Sequence, residues 1–287
     1  MSDGLLTEAR RRFHESLVAE GALAISPDGV ASNADKDQYS SRTIALSIAR
    51  ALDAPEGVKL PGQSAGSRFE GCVKEFLRDT FPRMQSIRPG TWEVRDVGGS
   101  RREYHLARYE PYLHLDELAN AIKRDRTLES VLGNNYSVSP DVVITREPEP
   151  DDAINRDEVV VDDGSGNLSI VRAVNNPNPI VHAVVSCKWT LRSDRAQNAR
   201  SEALNVIRNR KGRTPHVVVV TGEPTPSRLA SLALGTGDLD MVYHMALPEL
   251  VTAVLALGND EACAMLDTLI NGKRLRDISD LPLDLAV

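Results

Sequence analysis

The feature that most constrains this chain is the repeated change of hydrophobic period between residues 136 and 269. An apolar run, Ile180 to Trp189, and a second with four consecutive valines, Pro215 to Thr221, flank a stretch of different rhythm. In that stretch, Arg195 to Arg210, Ala196, Ala199, Ala203, Val206 and Ile207 recur at helical spacing. Continuous apolar runs bounded by turn residues predict buried strands, and a 3.6-residue period predicts an amphipathic helix. Tyr136 to Thr145 reads as a further strand interrupted by Pro140, Asp240 to Leu247 as another, and Pro248 to Leu269 as helix. The order is strand, strand, helix, strand, helix, strand, helix, which predicts an α/β fold with a mixed central sheet and helices on both sides.

The N-terminal part reads as helical: Thr7 to Glu20, Ser41 to Leu52, and a helix from Ser67 to about Asp79 after the turn-rich Leu60–Gly66. Ser67 and Glu70 have the spacing of a capping box, and Pro82 is expected to end that helix. Tyr109 to Leu132 reads mainly as helix, ending at Gly133. Residues 147–179 are acidic and rich in Pro, Gly and Asn, an excursion with a short strand expected at Glu158–Val161. No long linker separates the helical part from the core at about 136–270, so one domain over 1–287 is expected.

Hydrophobic residues make up 41% of the chain, enough for a sizeable core without disulfides. The three cysteines, Cys72, Cys187 and Cys263, form no CxxC pair, which argues against a disulfide framework or structural zinc and fits a reducing cytoplasm. Met1 to Arg12 is too polar for a signal peptide, and no apolar run is long enough to span a bilayer. The net charge of −7 argues at first against a polyanionic partner, but Lys188 to Arg213 holds eight basic residues against Asp194 and Glu202. A basic stripe on an acidic body can bind nucleic acid; a solvated Arg-rich helix explains the same charges.

Three residues stand out. Asp141 enters an apolar strand directly after Pro140, and burying a carboxylate costs several kcal/mol unless it is paired or binds a metal. Lys188 ends the strand face shared by His182, Val184 and Ser186, where a lysine can also simply reach solvent. Glu202 borders the apolar stripe of its helix, a place that solvated glutamates also occupy. Each has a structural reading, but together they suit metal-assisted phosphodiester hydrolysis. Carboxylate oxygens hold Mg²⁺, the metal lowers the pKa of a bound water, and lysine offsets developing negative charge.

The arrangement Pro-Asp141, 46 intervening residues, Lys188, 13 intervening residues, Glu202 resembles the PD-(D/E)xK nuclease superfamily. It departs from the common pattern at Ser186, where an acid usually stands. That departure resembles a variant in which the acid has moved to the following helix, found in type II restriction enzymes that read CCGG cores. The run Ser186-Cys-Lys-Trp-Thr-Leu-Arg-Ser-Asp-Arg195 through Glu202 is similar to the NgoMIV family of these enzymes. So are Leu60-Pro-Gly-Gln63, Ala34-Asp35, Glu223-Pro-Thr-Pro-Ser-Arg228, Ala233–Gly237 and Asp277–Val287.

The resemblance implies a restriction-endonuclease-like fold and Mg²⁺, two ions per site, held by Asp141, Glu202 and the backbone carbonyl of Cys187. It implies Lys188 as catalytic lysine and Glu70 as a further active-site acid. In Arg192-Ser-Asp-Arg195, arginine can donate to guanine O6 and N7 and aspartate can accept from cytosine N4, so Arg192, Asp194 and Arg195 suit a GG/CC half-site. A salt-bridged helix start is the structural alternative. The likeness further implies the target GCCGGC, with Asp35 and Arg228 at the outer pair and Gln63 in the minor groove. It implies cutting after the first G, leaving four-base 5′ overhangs. Double-stranded DNA is thus the expected partner, a palindrome implies a two-fold protein, and the family resemblance implies a tetramer of two dimers. A methyltransferase acting on the same site is expected, though not as a stable partner. The competing readings are another nuclease of the superfamily, a DNA-binding protein without catalysis, and a hydrolase using Ser186 or Cys187.

Overall fold

The computed structural model describes residues 3–57, 62–96, 106–124, 127, 130, 140–235 and 237–287, without the side chains of 62, 63, 123, 193 and 194. Six strands form one sheet in chain order: β1 (Trp92–Asp96), β2 (Val142–Arg146), β3 (Ile180–Lys188), β4 (His216–Thr221), β5 (Met241–His244) and β6 (Leu275–Asp277). β1, β2 and β3 pair antiparallel, and β3 to β6 pair parallel. The sheet is mixed, as the alternation of periods predicts. β3 is its pivot, buried along seven consecutive residues between an antiparallel and a parallel neighbour.

The parallel half follows from chain economy. A parallel neighbour requires a crossover of a dozen or more residues, and α6 (Ser193–Asn209) supplies it between β3 and β4. The helices before it are α1 (Leu5–Ala19), α2 (Tyr39–Ala51), α3 (Gly62–Thr80), α4 (His114–Arg124) and the single turn α5 (Asp151–Ile154). Those after it are α7 (Pro226–Ala233), α8 (Leu247–Leu257), α9 (Asp260–Asn271) and the short α10 (Leu281–Asp284). One continuous apolar cluster runs from Ala9 in α1 to Ala286 at the C-terminus, so the helical N-terminal part and the sheet share a core.

Because β2 runs against β3, its first residue lies at the same sheet edge as the end of β3: Val142 pairs with Val185. On the other side, Lys188 pairs with Thr221, and Thr221 with His244. The start of β2 and the ends of β3, β4 and β5 therefore meet along one edge, the usual place for ligands in open α/β sheets.

Several sequence expectations need correction. α3 begins at Gly62, so Ser67 and Glu70 lie inside a helix and form no capping box. The apolar stripe Phe69, Val73, Phe76 and Leu77 is buried, which outweighs the roughly 1 kcal/mol that Gly66 costs mid-helix. The helix expected over 109–132 begins only at His114, because Glu110 bridges to Ile180 and residues 111–113 turn before it; its expected end near Gly133 lies outside the described residues. The strand expected from Tyr136 begins at Val142, with 131–139 outside the described residues. Residues 158–161 form no strand, and the excursion is instead tied together by Arg172, which pairs with Asp151 at 2.6 Å. The helix expected over 248–269 is two: Gly258, at φ 68°, ends α8, and the Asn259 side chain caps α9. Strands β1 and β6 have no counterpart in the sequence reading.

Candidate active site

At the sheet edge, the carboxylate of Asp141 is fixed by the strand it faces. Its Oδ2 accepts from the backbone N–H of Cys187 at 2.6 Å, and Lys188 Nζ lies 3.3 Å away. The alternation of β3 puts Ser186 and Lys188 on one face and Cys187 on the other. On the first face, Ser186 Oγ donates to Glu202 Oε2 at 3.0 Å and Lys188 Nζ reaches the same oxygen at 3.4 Å. Glu202 arrives there because Ala196, Ala199, Ala203 and Val206 are buried and turn the adjoining side of α6 toward the strand end. The three residues singled out by spacing thus converge, one from the start of β2, one from the end of β3 and one from α6.

Electrostatics set this site apart. Burial alone would pull the Lys188 ammonium down, but Asp141 and Glu202 carry it above its ordinary pKa, so it stays charged. Glu70, on α3, is pushed up to about 7, first by burial and then by repulsion from Asp141 and Glu202 against the pull of Lys188. Glu70 is therefore part of the same electrostatic cluster, and three carboxylates face one ammonium. Burial, then Asp141 and Glu70, pushes the Cys187 thiol far above its ordinary value, which disfavours the thiolate a nucleophile needs.

The donor set fits Mg²⁺, a hard cation bound through carboxylate, carbonyl and water oxygens. Asp141 and Glu202 each hold the lysine through one oxygen, and among the described residues Asp141 Oδ1 and Glu202 Oε1 have no hydrogen-bond partner. The negative charge that Asp141 and Glu202 add to burial in raising Glu70 is what a divalent cation would offset. Among the described residues no group of three or more His, Cys, Asp or Glu side chains is placed to hold a metal ion, so Asp141 and Glu202 would be two side-chain ligands and water and backbone would have to supply the rest.

Beyond Lys188 the chain turns across a cleft of about 480 Å³ lined by Asp35, Asp37, Leu191, Arg192, Ser227 and Arg228 among others. Here Arg228 forms an ion pair with Asp35. That hydrogen bond, and one from the Asp37 backbone, hold the Asp35 carboxyl below the usual carboxylate range, with Arg192 adding to the effect. Asp35, Arg192 and Arg228 are thus brought together although 193 residues separate the first from the last. Arg195, one turn into α6, donates to Thr190 Oγ1 at 3.1 Å. The side chains of Asp194 and Gln63 lie outside the described residues; their backbones belong to α6 and α3.

Two features of the site go unassigned in the sequence. Ser186 joins both acids through its hydroxyl, at 3.0 Å from Glu202 and 3.4 Å from Asp141. Glu223, fully buried, accepts from the Leu191 backbone N–H at 2.7 Å. In the sequence it stands at the head of the Glu223–Arg228 run that resembles the family, with no role of its own.

Comparison with known proteins agrees with this picture. A family model, the NgoMIV restriction enzyme, matches residues 13–287. The type II restriction enzyme NgoMIV of Neisseria gonorrhoeae is 49% identical over 284 residues, covering 99% of each chain. Among solved structures, a restriction endonuclease PspGI–substrate DNA complex aligns over 98% of this chain and 92% of its own, at 12% identity. Its TM-score of 0.28 is too low to bear on the fold.

Proposed function

The chain belongs to the NgoMIV restriction enzyme family, and on that premise we propose that it is a type II restriction endonuclease acting on double-stranded DNA at GCCGGC. One observation carries the catalytic part: Lys188 Nζ lies between Asp141 and Glu202, at 3.3 and 3.4 Å, while the second oxygen of each acid has no hydrogen-bond partner among the described residues.

Asp141, Glu202 and the Cys187 carbonyl would hold Mg²⁺, which when bound supplies Lewis-acid stabilisation of the phosphoryl oxygens and lowers the pKa of water. Lys188, kept charged by its neighbours, orients the attacking water and offsets charge at the reacting phosphate. Ser186 keeps Glu202 aimed at the strand end. Glu70, on α3 in the same electrostatic cluster, adds a further active-site acid. Arg192, Asp194 and Arg195 read the GG/CC half-site through base edges. Asp35 and Arg228 read the outer pair, and Gln63 contacts the minor groove. The shared cleft of Asp35, Arg192 and Arg228 supports assigning them to one half-site.

A palindromic target calls for a two-fold assembly; the proposed form is a single-domain chain in a tetramer of two dimers, each dimer holding one site. A mass below that of four chains in light scattering would overturn the tetramer. The central test is digestion of plasmids with Mg²⁺. A plasmid carrying GCCGGC is expected to be cut, with four-base 5′ overhangs, and one lacking CCGG to stay intact. Equal cutting of both would remove the specificity, and no cutting of either would remove the activity.

A further inference from the structure

Glu223 is the one fully buried acid of the described chain outside the catalytic cluster, with 0% exposure. It stands in the turn between β4 and α7, and its two oxygens serve different segments. Oε2 accepts from Leu191 N at 2.7 Å, and Oε1 accepts from Thr225 N at 3.1 Å. Arg228 Nη1 lies 3.9 Å from Oε2. The residue before it, Gly222, donates to the Lys188 carbonyl at 3.3 Å and accepts from Asn33 Nδ2 at 2.7 Å. Space there is tight: a Cβ on Gly222 would lie 2.9 Å from the Trp189 ring.

This two-residue turn therefore joins three segments that are distant in sequence. One carries Asn33 and Asp35, one runs from Lys188 to Arg192, and one carries Thr225 and Arg228. A buried carboxylate costs more than an apolar side chain of equal size, so an apolar filler would serve packing better. What a carboxylate offers is two acceptors, and both are used. An amide has one acceptor and would turn its NH₂ toward a backbone N–H.

We propose that Glu223 is a positioning residue that locks the base-reading side chains Asp35, Arg192 and Arg228 to the catalytic end of β3, so that a wrong base pair is felt at Lys188. The proposal rests on the reading of this site as a sequence-specific nuclease. In it, Glu223 touches no DNA. It fixes the distance between the residue that ends the catalytic strand and the arginines on either side of the cleft, and a displacement of Arg228 reaches Leu191 through a single side chain.

The test uses full-length Glu223→Gln, which keeps the volume, beside the wild-type protein. The first readout needs no DNA: amide hydrogen exchange of the 189–192 segment in the free protein. Exchange at Leu191 is expected to rise at least tenfold in the variant while the thermal midpoint moves by only a few degrees. The second readout is Mg²⁺-dependent cleavage of duplexes containing GCCGGC or ACCGGT. The variant is expected to lose at least tenfold in kcat with KM changed less than threefold, and to lose at least tenfold of the wild-type preference between the two duplexes. Unchanged exchange at Leu191 overturns the proposal, as does faster exchange with kcat and preference intact, the behaviour of a merely structural tie. If the wild-type protein cuts both duplexes equally, the outer-pair assignment falls, and Glu223 is then judged by exchange and kcat alone. If the wild-type protein cuts neither, the nuclease reading falls and the coupling falls with it, whereas the exchange result still reports the tie to Leu191.

Discussion

Two clusters in this molecule have the same ingredients and opposite designs. At one, Arg10 of α1 stands between Glu249 of α8 and Asp277 at the end of β6; at the other, Lys188 stands between Asp141 and Glu202. Exposure is comparable: 20% for Arg10 and 14% for Lys188, with acids between 10% and 38%. Arg10 grips both acids in pairs, with Nε and Nη2 on Asp277 at 2.9 and 3.1 Å and Nη1 and Nη2 on Glu249 at 3.1 and 2.5 Å. Asp277 also accepts from Leu247 N, Ser279 N and Ser279 Oγ. Lys188 touches one oxygen of each acid, at 3.3 and 3.4 Å. The planar guanidinium fork saturates two carboxylates; an ammonium is a point charge, and among the described residues it leaves the outer oxygens of Asp141 and Glu202 open. A saturated cluster can only hold the fold together, whereas an unsaturated one has bonding capacity left for a metal and a phosphate.

The largest separation between the clusters should appear when each loses its cation. Lys188→Ala is expected to lower cleavage at least ~10²–10³-fold, the usual cost of removing a group that stabilises transition-state charge. Its thermal midpoint should fall less than that of Arg10→Ala, because Lys188 makes one long contact to each acid where Arg10 makes two, and binding to a GCCGGC duplex should persist. Retained cutting would take Lys188 out of the mechanism. Arg10→Ala should do the reverse. It strands two partly buried carboxylates, at a cost of about 3 kcal/mol in urea unfolding, and leaves the cutting rate of the folded fraction unchanged. A stability loss below about 1 kcal/mol would show that the Arg10 cluster is ornamental, and the contrast would collapse.

The two clusters were not equally legible. Asp141, Lys188 and Glu202 each allow an ordinary structural reading alone, and they stand out together through a spacing that resembles a known nuclease pattern. The Arg10 cluster belongs to no such pattern. Arg10 lies 239 and 267 residues from its partners, and each of the three reads as an ordinary charge on an amphipathic element. The same lack of local signal hid β6, three residues long, and the tie between Glu223 and Leu191. Elsewhere local signals were strong but outvoted. Gly66 reads as a turn, yet the buried face of α3 carries the helix through it, and that brings Glu70 within the electrostatic reach of Asp141, Lys188 and Glu202. The family resemblance implied one base pair for Asp35 and Arg228, but their ion pair had no trace in spacing or composition.

Acid separates the clusters more gently. Burial would raise Asp277 and Glu249, but the hydrogen bonds and charge of Arg10, with Ser279 for Asp277, hold both below their ordinary pKa. Depressed carboxylates contribute stability that is complete above the unfolded pKa, near 4, and lost as pH falls through the folded values. Buried histidines act earlier and with a different origin. Burial lowers His182 to about 3 and His244 to about 4, so the unfolded chain takes up protons first and stability declines below about pH 6.5. The wild-type protein and Arg10→Ala should therefore lose stability in parallel from pH 6.5 to about 5 and converge only below that, as measured by urea midpoints between pH 7 and 3. Convergence already at pH 6 would assign the difference to His14, which packs beside Arg10 and whose pKa is lowered by burial.

The smallest effect bears most directly on the open oxygens. A cation that binds the folded chain alone stabilises it by RT ln(1 + [M]/Kd), about 1.4 kcal/mol at ten times Kd, or a rise of about 3 °C in Tm for a chain of this size. Mg²⁺, or Ca²⁺ where cutting must be avoided, should produce that rise in the wild-type protein without DNA. Asp141→Asn should abolish it, because an amide keeps the size and one acceptor but removes the charge that draws a hard cation. Glu249→Gln, made in the saturated cluster, should start from a lower midpoint and still show the full rise. The paired outcome matters because stability and metal response then move independently. A rise that survives Asp141→Asn but disappears in Glu249→Gln would put the cation at the Arg10 cluster, and bonding capacity left open would no longer distinguish the functional site from the structural one.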